Sequence, residues 1–239
     1  MSGELPEGPE TVAPYQLDVI RSEETVGRLA RALGLPKPQD TGTHWSHDPN
    51  GGRPLFTVFK NDIVPWAFER GWKRPADGPR LDPGKAKAAV LPVLRALGLE
   101  ESVLTTAPGA GSWTEVTADP VLGGVPTEGW SVKVSVDGEG RVMAASGLMG
   151  RPRRLDPVEP VGAKESLLLN GDEIAGPGTA SELPGVITRH REVPSARLYL
   201  RGGPCMDGSG FWLEPVWEFG GGPDGKRVGR AVPTGTDCA

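Results

Sequence analysis

The sequence has few of the residues that most catalytic and metal sites use. Its 239 residues include three histidines and two cysteines. No run of 18 or more apolar residues occurs, which excludes a transmembrane helix within the sequence. Basic residues (26) are fewer than acidic ones (31), so the chain has no broad positive field for a phosphate backbone. Nucleic acid is therefore not expected as a partner.

The two cysteines allow one intramolecular disulfide. Cys205 follows Gly-Pro in a turn, and Cys238 lies one residue from the end of the sequence, so neither is typical of a buried core thiol. We favour a disulfide between them, which would stabilise the fold by about 3–4 kcal/mol. Two unrelated thiols are the alternative, and a reducing cytosol would favour it.

The abundant residues indicate a loop-rich but globular chain. Gly (35) and Pro (25) are frequent, yet apolar periodicity persists from Tyr15 to Phe219. A chain of this length can bury one substantial core or two small ones. Arg outnumbers Lys eighteen to eight, and Ile and Asn are scarce, which is typical of a GC-rich, actinobacterium-like source.

The N-terminal residues carry no recognisable export signal. Residues 1–14 have neither a basic nor an apolar stretch, so the sequence taken literally is cytosolic and unanchored. A start rich in Pro and Glu is also typical of a flexible stalk that remains when a signal or membrane anchor is missing. We favour this second interpretation for residues 1–14.

Two helices have clear start and stop signals. Ser22 is expected to cap the first, which ends at Gly34, and Asp82 with Pro83 begins the second, which ends at Gly98. Pro92 inside the second predicts a kink or a two-part helix. The pentapeptide Arg-Ala-Leu-Gly-Leu closes both helices, at 31–35 and at 95–99.

Alternating apolar residues after each helix predict strands. In the first part these are 55–60 and 64–70. The second part has a hairpin of 130–136 and 141–146 around the turn 137–140, then a short helix at 160–170, a loop at 171–185 and strands at 196–201 and 211–219. We predict an α+β fold of duplicated helix-plus-antiparallel-sheet units, 15–78 and 79–239. Pro215 places the last strand at an edge or a bulge.

No motif predicts catalysis, a cofactor or a metal. His44 and His47 lie in a loop without helical spacing, and the third histidine, His190, is remote. Residues 220–226 match a phosphate-binding glycine pattern, but Arg227 replaces the Ser or Thr that would hold magnesium, and no helix can follow. A hairpin or exit loop is expected there, and the chain is not expected to be an enzyme.

The seven tryptophans are the one compositional surplus. Trp130 and Trp217 lie in strand patterns and are expected in the core. Trp45, Trp72 and Trp113 lie in predicted loops and are candidates for a ligand surface.

Several segments of the second part of the chain are distinctive: residues 86–99, 118–121, 129–130, 140–147 and the closing 213–219 segment, Leu-Glu-Pro-Val-Trp-Glu-Phe. On these segments the chain resembles a group of uncharacterised membrane-anchored proteins and lipoproteins of streptomycetes and their relatives. It implies an N-terminal signal or anchor, with this region outside the membrane, and no known activity. The helix-plus-hairpin pattern also resembles PepSY-type domains, which are non-catalytic envelope modules.

These observations favour a non-enzymatic, extracytoplasmic envelope protein that binds a protein or peptide partner and regulates signalling or a peptidase. A protein that binds a small ligand or glycan through loop tryptophans is the alternative. A hydrolase comes third.

Overall fold

A computed structural model describes residues 5–19, 22–47, 52, 54–60, 65–71, 78–169, 195–204, 211–222 and 225–231. Within these ranges the fold is mixed α/β, with three helices and fourteen mostly antiparallel strands. The helices are α1 (Glu23–Ala32), α2 (Pro83–Leu97) and α3 (Ala163–Leu169). The strands are β1 (Tyr15–Val19), β2 (Gln39–Asp40), β3 (His44–His47), β4 (Leu55–Phe59), β5 (Pro65–Glu69), β6 (Ser102–Pro108), β7 (Thr114–Leu122), β8 (Val125–Glu128), β9 (Val132–Val136), β10 (Val142–Leu148), β11 (Gly150–Arg154), β12 (Ser195–Pro204), β13 (Phe211–Gly222) and β14 (Gly225–Arg230).

Helix α1 begins and ends where the sequence predicts. The Ser22 hydroxyl accepts a hydrogen bond from the backbone N–H of Thr25 at 3.5 Å. At the other end Gly34 has a φ of 74°, and the N–H of Leu35 donates to the Ala30 carbonyl at 2.9 Å. The helix buries one apolar stripe, which consists of Val26, Leu29, Ala30 and Leu33.

Helix α2 also has the predicted ends, but it is not divided. The Asp82 carboxylate accepts from the N–H groups of Gly84 and Lys85 at 2.9 and 3.2 Å, and Gly98 has a φ of 73°. The helix runs as one element past Pro92, so it is not divided into two parts, and the alternative of a kink stays a prediction. Pro92 is exposed, and on that side water can satisfy the carbonyl that lacks an N–H partner. None of the helices in the described ranges has the length and apolar character that a membrane span requires.

Eight strands form an antiparallel sheet that we call the meander sheet, in the order β6-β7-β9-β10-β5-β4-β3-β2. Four of them follow α1 in the chain and four follow α2, and the two groups join where β5 pairs with β10. The predicted hairpin is confirmed as β9 and β10. The inner face of the sheet shares one hydrophobic core with α1 and α2 and contributes Trp45, Phe56, Val58, Trp66, Phe68, Val116, Ala118, Val132, Val134 and Val136.

The other strands form the part of the sheet that we call the closing sheet, in the order β11-β1-β13-β12-β8, with β14 also on β13. It is continuous with the meander sheet, because β8 also pairs with the end of β7. β13 has neighbouring strands on both sides. Pro215 therefore does not lie in an edge strand. Pro215 stands where the neighbour of β13 changes from β1 to β14. The Pro215 carbonyl accepts a hydrogen bond from the Ala231 N–H, on the side of β13 away from β12. Since the N–H and C=O of one strand residue point to the same side, the N–H that proline lacks would also face away from β12, and no hydrogen bond between β13 and β12 is lost.

The strand pairing does not follow the predicted division at residue 78. β1 pairs with β11 and β13, and β5 pairs with β10, so hydrogen bonds between strands cross that boundary in both sheets. A helix followed by four strands of the meander sheet occurs at 23–69 and again at 83–148, where β8 is an additional strand between the second and third of the four. An origin by duplication stays a prediction.

Residues 5–14, expected to belong to a stalk, lie against the closing sheet. Val12 and Ala13 are buried, and Val12 exchanges two backbone hydrogen bonds with Val158, at 3.0 and 2.9 Å. Leu5 packs against a small second core that consists of Ala163, Trp217, Phe219 and Ala231. Proline content predicts an extended segment, but it does not show whether the apolar side chains between the prolines reach a core.

Several sequence predictions fall outside the described residues. These are the pairing of Cys205 with Cys238, the position of Trp72 and the loop 171–185. They stay predictions.

Candidate functional site

The outer face of the meander sheet, opposite the helices, contains a shallow depression that we call the outer trough. It has a volume of about 310 Å³ and crosses five neighbouring strands, β7, β9, β10, β5 and β4. Its side chains alternate along each strand with those of the buried inner face. The outward residues that line it are Leu55, Ala67, Glu69, Glu115, Lys133, Ser135, Ala144 and Ser146.

The strand register explains why a depression forms here. Ala67 lies opposite Ser146, and Ala144 lies opposite Ser135, so small side chains meet on three adjacent strands. Longer side chains stand at the two ends, Leu55 on β4 and Glu115 on β7, and two more lie beside the small ones, Glu69 opposite Ala144 and Lys133 opposite Ser146. Since strands lie about 4.8 Å apart, the trough is about 19 Å long across the sheet.

The polar groups of the trough include both charges. Glu69 and Glu115 contribute carboxylates from β5 and β7, and Lys133 contributes an exposed ammonium group from β9, between them in the strand order. Ser135 lies directly opposite Glu115. No described histidine lines the trough, so this serine lacks the imidazole base that activates a nucleophilic hydroxyl in hydrolases. The arrangement is suited to holding a ligand by apolar contact and a few charged groups.

Trp45 and Trp113, the two described tryptophans among those proposed as a ligand surface, are not brought together. Trp45 lies in β3, not in a loop, and is only 4% exposed. The Lys60 ammonium covers its ring at 4.2 Å from the centroid and also pairs with Asp40. Trp113 is half-buried in the turn between β6 and β7, and four strands separate β7 from β3. The assignment of Trp45 to a ligand surface is therefore wrong, because the polar residues around it flank a strand whose alternate positions face the core.

The two neighbouring histidines lie on one short strand. His44 Nδ1 is 3.0 Å from the hydroxyls of both Thr41 and Thr43, and its ring lies against Phe59. His47 is three residues further along β3, so its side chain points to the other face of the sheet. Among the described residues no group of three or more His, Cys, Asp or Glu side chains is arranged to hold a metal ion.

The described residues on either side of positions 223–224 in the glycine-rich segment pair with each other, which fits the expected hairpin or exit loop. Gly222 at the end of β13 pairs with Gly225 at the start of β14. A strand, not a helix, follows the glycines, so no helix N-terminus is available there for a phosphate group.

A second polar cluster lies on the closing sheet, where Arg197 of β12 binds Glu218 of β13. Its Nε and Nη2 donate to the two carboxylate oxygens at 3.0 and 3.1 Å. Burial raises the pKa of the neighbouring Tyr199, and a hydrogen bond to Glu128 raises it further. Tyr199 is 2% exposed, so this cluster stabilises the sheet and does not present a reactive phenol.

Sequence reasoning missed the outer trough. Its residues are ordinary when read singly, and the only signal is that the outward positions of β5 and β10 are small, at Ala67, Ala144 and Ser146. That signal becomes meaningful only when β5 and β10, which are far apart in the chain, are known to be neighbours.

Comparisons with known proteins do not assign the chain to a family. No family model matches it, and no curated protein matches it. Among solved structures, the Bacillus megaterium YpeB C-terminal domain is similar, with a TM-score of 0.42 and 14% identity over 90% of this chain and 100% of that chain. A similarity at this level establishes neither a common fold family nor a function.

Proposed function

We propose that this protein is a non-catalytic, extracytoplasmic envelope protein whose outer trough binds a segment of a protein or peptide partner, and that binding regulates signalling or a peptidase. The observation that carries the proposal is the trough itself. It combines small side chains on three adjacent strands with a leucine and three charged side chains, and five paired strands hold it over a buried core. Rigid backing of this kind limits the entropy lost on binding.

The dimensions of the trough favour an extended segment. A length of about 19 Å accommodates about six residues at about 3.3 Å each. The lining is mainly apolar, so side chains of the segment would bury against Ala67 and Ala144. Lys133 and Glu115 would then fix the direction of the segment, because they pair with opposite charges at different positions along it.

The location outside the cytoplasmic membrane rests on the sequence resemblance. Residues 86–99 and 213–219 resemble anchored proteins of streptomycetes, and the helix-plus-hairpin pattern resembles PepSY-type modules. In this proposal the two helix-and-strand groups are duplicated PepSY-like units that share the meander sheet, and the trough crosses the junction between them.

Site-specific crosslinking tests the trough. A photo-crosslinking amino acid at Ser146, in the centre of the trough, is compared in intact envelopes with the same group at Ala88, which is exposed on α2. We expect a discrete adduct from position 146 only. Filling the trough by Ala67→Trp should abolish that adduct while the melting temperature stays unchanged. Equal adducts from both positions, or an adduct that survives Ala67→Trp, would contradict the proposal.

Labelling in intact cells tests the location. Ser146 is exposed, so a membrane-impermeant maleimide should label Ser146→Cys in intact cells of the source organism if the protein is outside the membrane. The wild-type chain provides the control for its own two cysteines. Labelling that occurs only after lysis would place the protein in the cytoplasm.

A further inference from the structure

The strand at one end of the meander sheet has an unprotected edge. β6 pairs with β7 on one side, and no described strand pairs with its other side. Its seven residues, Ser-Val-Leu-Thr-Thr-Ala-Pro, contain no charge, and the single proline is the last residue. Val103 is 46% exposed, and Thr105 and Ala107 are also exposed.

The hydrogen-bond pattern shows which backbone groups of β6 face outward. The Glu101 carbonyl accepts from Val121, and the Gly109 N–H donates to Trp113, so odd-numbered positions bond to β7. The pairing between these positions has no register shift. Because the direction alternates along a strand, the N–H and C=O groups of Leu104 and Thr106 point to the free edge.

The opposite end of the sheet is built differently. β2 is two residues long and contains Asp40, whose carboxylate is paired with Lys60. Short length and charge are the usual protection of an edge strand against pairing with another chain. β6 has neither.

We propose that β6 pairs with β6 of a second copy of this chain, antiparallel and centred on Thr105, so that two meander sheets join into one. In this register Leu104 of each copy lies opposite Thr106 of the other, and each such pair exchanges two backbone hydrogen bonds. Ser102 donates to the carbonyl of Pro108 at each end, where the missing proline N–H leaves one bond unmade. On the outer face Val103 is covered by Ala107, and the two Thr105 side chains meet.

Charge at the two ends of β6 supports self-pairing over the binding of an unrelated strand. The start of β6 follows the exposed Glu100 and Glu101. The turn after β6 lies beside Arg80, which shares a small hollow with Gly111 and Ser112. An antiparallel pair brings Glu100 and Glu101 of one copy towards Arg80 of the other, twice by symmetry.

Sedimentation of the purified full chain tests the pairing. We expect a reversible monomer–dimer equilibrium between low micromolar and near-millimolar concentration. Thr105→Lys places two like charges opposite each other and should weaken the dimer about tenfold or more. The matched control is Gln39→Lys, which adds the same charge at the β2 edge and should leave the equilibrium unchanged. A chain that stays monomeric throughout, or a dimer that Thr105→Lys does not affect, overturns the proposal.

Cysteine crosslinking tests the register. Thr105→Cys should form a disulfide-linked dimer on mild oxidation, because the two Cβ atoms would lie about 4.5–5.5 Å apart. Val103→Cys alone should give at least about tenfold less, since its symmetry mate would be about 13 Å away along the strand. A mixture of Val103→Cys with Ala107→Cys should restore the crosslink. The wild-type chain controls for Cys205 and Cys238, and equal yields from both single variants would contradict the register.

Discussion

The two faces of the meander sheet belong to the same strands, but their side chains differ in size and in burial. Trp66 and Ala67 are neighbours in β5, yet the indole is 1% exposed in the core and the methyl group lies in the outer trough. On β9, Val134 is buried and Ser135 is outward. Burial of the inner face stabilises the fold. The outer face therefore does not need large apolar side chains, and small ones can leave a depression there.

The largest expected effect distinguishes the two faces within one strand. Trp66→Ala removes a fully buried indole and should lower the free energy of unfolding by about 3–5 kcal/mol. Ala67→Ser, on the opposite face, should change it by no more than about 0.5 kcal/mol. Urea denaturation of both variants measures the difference, and similar losses would mean that the outer face is also part of the core.

An intermediate effect is expected at the rim of the inner face, where Arg70 ties β5 to a helix end. Its Nη2 donates to the Leu33 carbonyl at 2.9 Å, and its Nε donates to the Val142 carbonyl at 2.8 Å. Arg70→Met leaves both carbonyls without this donor and should cost about 1–3 kcal/mol in thermal or urea unfolding. Arg31→Met on the exposed side of α1 is the control, with about 0.5 kcal/mol or less expected. Equal effects would show that Arg70 acts only as a surface charge.

The smallest effect concerns the β9–β10 turn, which sets the register of two trough strands. Burial opposes ionisation of Asp137, but hydrogen bonds from Arg141 and Glu139 outweigh it and lower its pKa below the usual 3.8. A lowered folded-state pKa means that ionised Asp137 stabilises the fold above pH 3.8, and that this contribution is lost as the pH falls through the folded-state pKa.

We therefore expect Asp137→Asn to cost about 1 kcal/mol at neutral pH. The gap between variant and wild type should close in acid, as measured by urea unfolding at a series of pH values. A gap that stays constant down to low pH would show that the charge of Asp137 contributes nothing.

Much of the local structure could be predicted because its causes are local. The caps at Ser22 and Asp82, and the left-handed Gly34 and Gly98, depend on hydrogen bonds to residues a few positions away. The hairpin of β9 and β10 follows from alternation around a tight turn. Pro92 does not divide α2, because a break depends on what surrounds the proline, and here it faces solvent.

The candidate site could not be predicted, since its residues come from distant parts of the chain. Ala67 and Ser146 are paired across the sheet but are almost eighty residues apart in sequence. The residues around Trp45 predict a loop and therefore a surface position, but the pairing of β3 with β4 turns its ring inward.

The sequence by itself determined which residues alternate, where α1 and α2 begin and end, and the mostly antiparallel character of the strands. Only the tertiary structure decided which strands are neighbours, and so which small side chains form a trough and which strand is left at an edge. The physical reason is range: caps and turns are satisfied within a few residues, whereas strand order is selected by the burial of the whole core.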